Sequence, residues 1–102
     1  MARDRSELHS ELVSILGSEH VYFQPPENYK LSYPCIIYEI KEPDLLRADD
    51  ALYSFKNCYQ ITIIDRNPDG DIWKSILAFP LCSFNRFYTV DNLNHYVLTL
   101  YY

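Results

Sequence analysis

Glycine is scarce in this chain, with Gly17 and Gly70 as the two glycines among 102 residues. A loop that cradles phosphate groups needs several glycines close together, because they let the backbone approach and wrap around the phosphate. The sequence therefore excludes the glycine-rich loops of nucleotide-binding enzymes. Long apolar runs are also missing, and a helix that spans a membrane needs about 20 mostly apolar residues in succession. We expect no membrane partner.

Basic residues are few and scattered along the chain. There are 9 Lys and Arg against 14 Asp and Glu, which gives a formal net charge of −5. Proteins that bind duplex nucleic acid through its phosphates concentrate lysine and arginine on one face. This charge balance makes nucleic acid an improbable binding partner.

The cysteines, Cys35, Cys58 and Cys82, are odd in number and far apart. A secreted disulfide framework normally has an even number of cysteines, and zinc-binding cysteines are usually two to four residues apart. We therefore expect reduced thiols in the core. The histidines lack metal-binding spacing as well, so no metal ion and no cofactor is predicted.

The one candidate for hydrolytic chemistry is His95, which has Asp91 and Ser83 nearby in the sequence. A hydrolase of that type would also need a nucleophile elbow and an oxyanion loop, and neither pattern is present. No catalytic residue is predicted, and we expect that the protein is not an enzyme.

The periodicity of the apolar residues predicts one α+β domain over residues 1–102, with a single mainly antiparallel sheet of about five strands and two helices on one face. Asp4 and Asp71 are expected to cap the helices. The predicted helices are 4–16 and 72–79, and the predicted strands are 21–23, 33–41, 53–65, 84–90 and 95–102. The predicted core contains Leu8, Leu12, Leu16, Ile61, Ile63, Ile76 and Leu77.

Two of the predicted strands, 33–41 and 95–102, are apolar on both faces. In the second of them Leu98 and Val97 point to opposite sides of the sheet. A single antiparallel sheet usually keeps one face polar, and monomers rarely expose large apolar patches. We expect a partner to cover the face away from the helices; the alternative is that loops fold over it.

Aromatic residues support the same expectation, since the chain has 10 Tyr and 5 Phe. Tyrosine is enriched in protein interfaces because it combines apolar area with a polar tip. The sequence ends in Tyr101 and Tyr102 within a predicted strand, and we expect these residues to form an edge that another subunit could extend.

Several segments together resemble one protein family. A helix comes first, followed by a short strand that leads into Pro25-Pro26, then by YPCIIY at 33–38, YQITIID at 59–65 and NLNHYVLTLY at 92–101. This succession resembles the tail completion (tail terminator) proteins of long-tailed bacteriophages, over nearly the whole chain.

The resemblance implies a ring, usually of six copies, that sits on the last ring of tail-tube subunits and stops tube growth. The implied partners are further copies of this chain, the tail tube protein, the head–tail connector or neck protein and, as a further candidate, the tape measure protein. DNA would pass through as cargo. Such a protein would be made in the host bacterial cytoplasm and end in the virion, at the tail and neck.

A loop rich in acidic residues, 43–52, supplies most of the candidate interface. Its leucines are apolar side chains in a polar loop, which favours burial in a partner, and its aspartates on a ring's channel wall would repel passing DNA. The alternative is a solvated loop without a partner. The candidate interface residues are Asp44, Leu45, Leu46, Arg47, Asp49, Asp50, Tyr101 and Tyr102.

Other functions stay open at this point. One alternative is a neck or stopper subunit on the head side of the joint. Another is a small cytosolic ligand-binding or regulatory α+β domain, whose aromatic residues would line a pocket. The size of the native particle separates ring proteins from such a domain.

Overall fold

The computed structural model describes residues 4–41, 57–67 and 69–102. In this part of the chain, a five-stranded sheet has the strand order β1-β2-β3-β5-β4. β1 runs parallel to β2, and every other neighbouring pair is antiparallel. The predicted α+β fold is confirmed. The helices are α1 (Arg5–Leu16) and α2 (Ile72–Leu77), and the strands are β1 (Val21–Phe23), β2 (Cys35–Ile40), β3 (Cys58–Asp65), β4 (Cys82–Val90) and β5 (Leu93–Tyr101).

Helix α1 forms where leucines recur every four residues, and this spacing places Leu8 and Leu12 in the core. The helix ends at Gly17, whose φ of 79° is the left-handed conformation that glycine adopts most easily. At the start, the backbone carbonyl of Asp4 accepts hydrogen bonds, but its carboxylate makes no capping hydrogen bond with the described residues. The predicted side-chain cap is wrong.

Helix α2 is shorter than predicted, since it ends at Leu77 instead of residue 79. Its Ile76 is buried, while Trp73 and Leu77 are half-buried against the core. The carboxylate of Asp71 also makes no capping hydrogen bond within the described part of the chain. This second predicted cap is wrong as well.

Both helices cover the same face of the sheet, as predicted. Helix α1 packs on β1, β2 and α2, and α2 packs on β4 and β5. The alternate residues of β2, β3 and β5 that face the helices form the core, because side chains alternate between faces along a strand. Of the predicted core residues, five are buried and Leu16 and Leu77 are partly buried against them; the five are Leu8, Leu12, Ile61, Ile63 and Ile76.

The face away from the helices is less exposed than the sequence suggested. Cys35, Ile64, Val97 and Tyr101 point to this face and are nevertheless buried in the single chain. The expectation that a partner must cover them is therefore wrong at these positions.

The predicted free edge at the end of the sequence is also wrong. β5 lies between β3 and β4, so Tyr101 is opposite Cys58 on one side, and on the other its N–H donates to the carbonyl of Leu81 at 3.1 Å. Tyr102 is buried, and its hydroxyl donates to the carboxylate of Glu11. Neither residue offers an unpaired strand edge to another subunit.

The observed bounds of other strands differ from the predicted bounds by a few residues. The strand predicted at 53–65 is described from Cys58, and residues 53–56 lie outside the described part of the chain. β4 begins two residues earlier than predicted, at Cys82. The acidic loop, with Asp44, Leu45, Leu46, Arg47, Asp49 and Asp50, also lies outside the described residues.

Candidate functional site

Strand β4 is one of the two edges of the sheet, and nearly all of its residues are exposed. A two-residue turn, Asp91-Asn92, joins it to β5, and both turn residues have positive φ, 53° and 63°. Such turns match the twist of a hairpin, and Asp and Asn tolerate the left-handed conformation better than most residues. The hairpin places β4 beyond β5, at the end of the strand order. Its outer side faces no further strand among the described residues.

The β4 edge is long and apolar. The strand has nine residues, and all of them after Cys82 are exposed. Edge strands are usually kept short or covered, because their unpaired N–H and C=O groups can pair with another chain. Four large apolar side chains add to this exposure: Phe84 at 42%, Phe87 at 49%, Tyr88 at 36% and Val90 at 49%.

A β-bulge divides these side chains between the two faces. The register shifts between Phe84 and Arg86, so that Phe84 is opposite Leu98 and Arg86 is opposite Val97. The residue between them has no partner on β5, which is how a bulge changes the side on which later residues lie. Phe84 and Phe87 therefore share the helix side, and Arg86 and Tyr88 share the other side.

On the helix side, four aromatic rings contact one another. Trp73 packs edge-on against Phe84 with 5.5 Å between ring centroids, and it stacks on Tyr96 at 5.7 Å. Phe87 contacts Tyr96 at 4.9 Å. Burial, followed by the nearby negative charge of Asp65 and Asp69, raises the pKa of Tyr96. These mutual contacts hold the rings of Phe84 and Phe87 in place, half-exposed, at the sheet edge.

On the other side, three side chains form a stack. The guanidinium carbon of Arg86 lies 5.2 Å from the centre of the Tyr88 ring. Tyr88 in turn stacks on His95, with 4.6 Å between centroids and 12° between planes. The Nδ1 atom of His95 lies 3.1 Å from the carbonyl oxygen of Leu93. The stack presents a positive charge on a supported aromatic surface.

A shallow depression of about 250 Å³ lies near the opposite edge of the sheet. Glu39 in its wall accepts a hydrogen bond from the side-chain amide of Gln60 at 3.1 Å. Tyr29, a second wall residue, contacts the ring of Tyr22. The walls are otherwise apolar or uncharged, apart from the exposed Glu27. The depression is lined by Gln24, Pro25, Pro26, Glu27, Tyr29, Leu31, Ile37 and Glu39.

Ser83 and His95, which were considered for hydrolytic chemistry, do not lie close together. Ser83 is opposite Thr99 and His95 is opposite Tyr88, so four residues of extended strand, about 13 Å, separate Ser83 from His95 along the sheet. Among the described residues, no group of three His, Cys, Asp or Glu side chains could hold a metal ion. Cys35 and Cys58 are buried free thiols, as expected, and Cys82 is half-buried.

The residues of the β4 edge were not among the predicted interface residues. The sequence predicted a strand at 84–90, but local patterns do not reveal which strand lies at an edge. One signal was present: Phe84 and Phe87 are three residues apart, which breaks the two-residue period of a regular strand. That spacing is what a bulge produces.

Comparison with family models, curated proteins and solved structures finds no match to this chain. Neither helix in the described part of the chain has the length and hydrophobicity needed to cross a membrane.

Proposed function

We propose that this protein is a structural subunit of a bacteriophage virion. In this proposal, about six copies form a ring that caps the tail tube and joins the tail to the head connector. The observation that supports assembly is the nine-residue β4 edge, whose residues after Cys82 are exposed and include four half-exposed apolar side chains. The sequence resemblance described above supplies the identity of the assembly.

The proposed contact combines two kinds of binding. No described strand lies beyond β4, so its outer backbone groups could pair with another chain, and the exposed rings of Phe84 and Phe87 could be buried in the contact. The contacts of these rings with Trp73 and Tyr96 hold them in place before binding, so that little side-chain freedom remains to be lost. A modest interface repeated around a ring is sufficient to stabilise an assembly.

A ring also requires that each copy use two different surfaces. Contacts in which one patch binds a different patch on the next copy close into rings, whereas a patch that binds itself gives a dimer. β4 and β1 are the two edges of this sheet, and they differ in length, nine residues against three. Each copy therefore has a separate edge for each of its two neighbours in a ring.

The net charge of −5 fits the passage of DNA through such a ring. An acidic channel wall would repel DNA phosphates and so keep the DNA from adhering. Asp44, Asp49 and Asp50 are the proposed channel or interface residues, together with Leu45, Leu46 and Arg47; all of them lie outside the described residues.

The ligand-binding alternative has one feature in its favour, the depression beside Glu39. Its volume of about 250 Å³ is below the roughly 300–1,000 Å³ of typical ligand pockets. Four of the six large apolar side chains that are exposed among the described residues lie instead along β4, a strand edge, where another protein chain is the fitting ligand. A neck or stopper subunit would use the same edge, and the identity of the neighbouring rings separates that alternative from a tail terminator.

The test is deletion of the gene in the phage that carries it, followed by electron microscopy of the lysate. Filled heads beside overlong or unjoined tails are expected, and joined virions of normal length would contradict the proposal. A neck or stopper subunit would instead leave tails of normal length that fail to attach.

Complementation with variants tests the role of β4. Phe87→Ser removes an exposed ring from the proposed interface and should fail to restore joined virions. The control Ile40→Ser removes an apolar side chain that is 59% exposed on another strand, and it should restore them. Equal rescue by both variants would rule out β4 as the interface.

A further inference from the structure

We infer that neighbouring copies contact head to tail, with Arg86 of one copy bound in the acidic depression beside Glu27 and Glu39 of the next copy. The inference rests on the ring of the proposed function and names the surfaces that meet in it. One surface is the stack of Arg86, Tyr88 and His95 at the β4 edge. The other is the depression at the β1–β2 end of the sheet.

The two surfaces lie on the same face of the sheet, at opposite ends of the strand order. Arg86 is opposite Val97, whose side chain points away from the helices. Glu39 is opposite Gln60 and points away from the helices as well, because the residues on either side of it in β2, Tyr38 and Ile40, point the other way. When copies are placed side by side in one orientation, the β4 edge of one therefore comes next to the depression of its neighbour.

The charges of the two surfaces are complementary. The depression has two carboxylates, and Glu39 receives its hydrogen bond from the neutral amide of Gln60, so its negative charge is not neutralised by that contact. The guanidinium of Arg86 can donate to both oxygens of a carboxylate, a geometry that lysine lacks. Stacking on Tyr88 holds the guanidinium in position before it binds.

The apolar wall of the depression also fits the partner. Pro25, Pro26 and Leu31 form a rigid, uncharged rim, because proline fixes the backbone. Tyr88 is 36% exposed and would lie against this rim when Arg86 reaches the carboxylates. The contact would thus combine an ion pair with burial of an aromatic ring, the combination found at strong interface positions.

Pairing of β4 with β4 of a second copy is the competing arrangement. Arg86 is the central residue of Cys82–Val90, so an antiparallel pair in full register would place Arg86 opposite Arg86. Like charges that lie directly opposite each other destabilise a strand pair. Such a pair would also close a two-fold dimer and leave no edge for a ring.

Charge exchange between the two surfaces tests the inference. The first variant is Arg86→Glu, and the second combines Glu27→Lys with Glu39→Lys; all three side chains are exposed, so both variants should fold. Association is measured by sedimentation at up to about 1 mM, at which even a millimolar contact is half formed. Each variant alone should associate at least about tenfold more weakly than the wild type, because like charges then meet at every contact.

An equimolar mixture of the two variants should regain association. In the mixture, the new glutamate of the Arg86→Glu variant meets the new lysines of the double variant. Arg86 of the double variant meets Glu27 and Glu39 of the next Arg86→Glu copy, so that the two variants alternate around the ring. Native mass spectrometry should then find assemblies with equal numbers of each variant. The controls are Arg66→Glu, beyond the end of the central strand β3, and Glu19→Lys, after α1; both should associate as the wild type does.

The outcomes separate this inference from the proposed function. A wild type that stays monomeric at about 1 mM, or a mixture that associates no better than its components, overturns the head-to-tail contact. Loss of association with Arg86→Glu but not with the double variant would show that Arg86 binds somewhere other than Glu27 and Glu39, and would also overturn it. None of these results bears on whether deletion of the gene leaves tails unjoined, which tests the proposed function alone.

Discussion

The Nδ1 atom of His9 lies 2.7 Å from the hydroxyl oxygen of Tyr38, and this hydrogen bond joins α1 to the central part of β2. Arg5 donates to the same hydroxyl at 3.3 Å. Tyr38 is fully buried, so its hydroxyl depends on partners within the protein instead of water. One hydroxyl therefore holds two side chains of the helix against the sheet.

Replacement of Tyr38 by phenylalanine tests the value of this contact. The change leaves His9 without its partner while the ring continues to fill the core, and we expect a loss of about 1–2 kcal/mol in the free energy of unfolding. Urea denaturation measures the loss. The control Tyr29→Phe, at a tyrosine that is 51% exposed, should change the free energy by less than about 0.5 kcal/mol. Equal effects of the two changes would show that the hydroxyl of Tyr38 contributes nothing.

Leu12 lies on the side of α1 that faces the sheet and is fully buried. Leu12→Ala should therefore leave a cavity between the helix and the sheet. A loss of about 2–5 kcal/mol is expected, because apolar contacts are removed and a packed core closes only partly around a void. Guanidinium denaturation should show a lower midpoint, with an unchanged slope of the unfolding free energy against denaturant concentration. Ser14→Ala, at an exposed position of the same helix, is the control and should be close to neutral. A loss below about 1 kcal/mol for Leu12→Ala would contradict the packing described here.

Gly17 ends α1 with a φ of 79°, and a Cβ built at this position meets no described atom within 4 Å. Any loss of stability caused by Gly17→Ala therefore comes from the backbone conformation and not from a steric clash. We expect about 1 kcal/mol of destabilisation, since alanine disfavours the left-handed conformation. Asparagine tolerates that conformation better, so Gly17→Asn should cost less than Gly17→Ala in thermal or urea unfolding. The opposite order would contradict this explanation of the helix end.

The thiols of Cys35 and Cys82 should react slowly in the folded protein. Burial raises the pKa of each from 9.0 to about 11, so the reactive thiolate at pH 8 is about 100-fold less abundant than in the unfolded chain. Alkylation with iodoacetamide, followed by mass spectrometry, should show this difference between native and denatured protein. Fast native labelling of either cysteine would contradict it.

The same shifts predict how stability depends on pH. Because the folded-state pKa values are raised, folding favours the protonated thiols, and their contribution to stability is fully present below pH 9. It is lost as the pH rises from 9 towards 11, where the unfolded chain releases its protons first. The denaturation midpoint should therefore be lower at pH 10.5 than at pH 8. This decrease should be smaller in a variant that carries Cys35→Ala and Cys82→Ala.

The sequence by itself determined the type and approximate place of each described element. Periodicity is a local property, so the spacing of Leu8 and Leu12 was enough to predict α1 and its buried side. Alternation likewise predicted that Ile61 and Ile63 share a buried face of β3. Helix capping was predicted wrongly at Asp4 because a capping hydrogen bond depends on the orientation of one side chain, which the residue type does not specify.

The tertiary structure alone decided which strand is exposed. Whether a strand lies at an edge depends on its neighbours in space, and those neighbours are distant in sequence. Tyr101 of β5 is opposite Cys58 of β3, 43 positions earlier, and this pairing places Tyr101 inside the sheet. The same pairing leaves β4 at the edge, with Phe87 and Arg86 on opposite faces of the sheet. The candidate surface thus follows from long-range strand order and register, which hydrophobic periodicity within a segment does not encode.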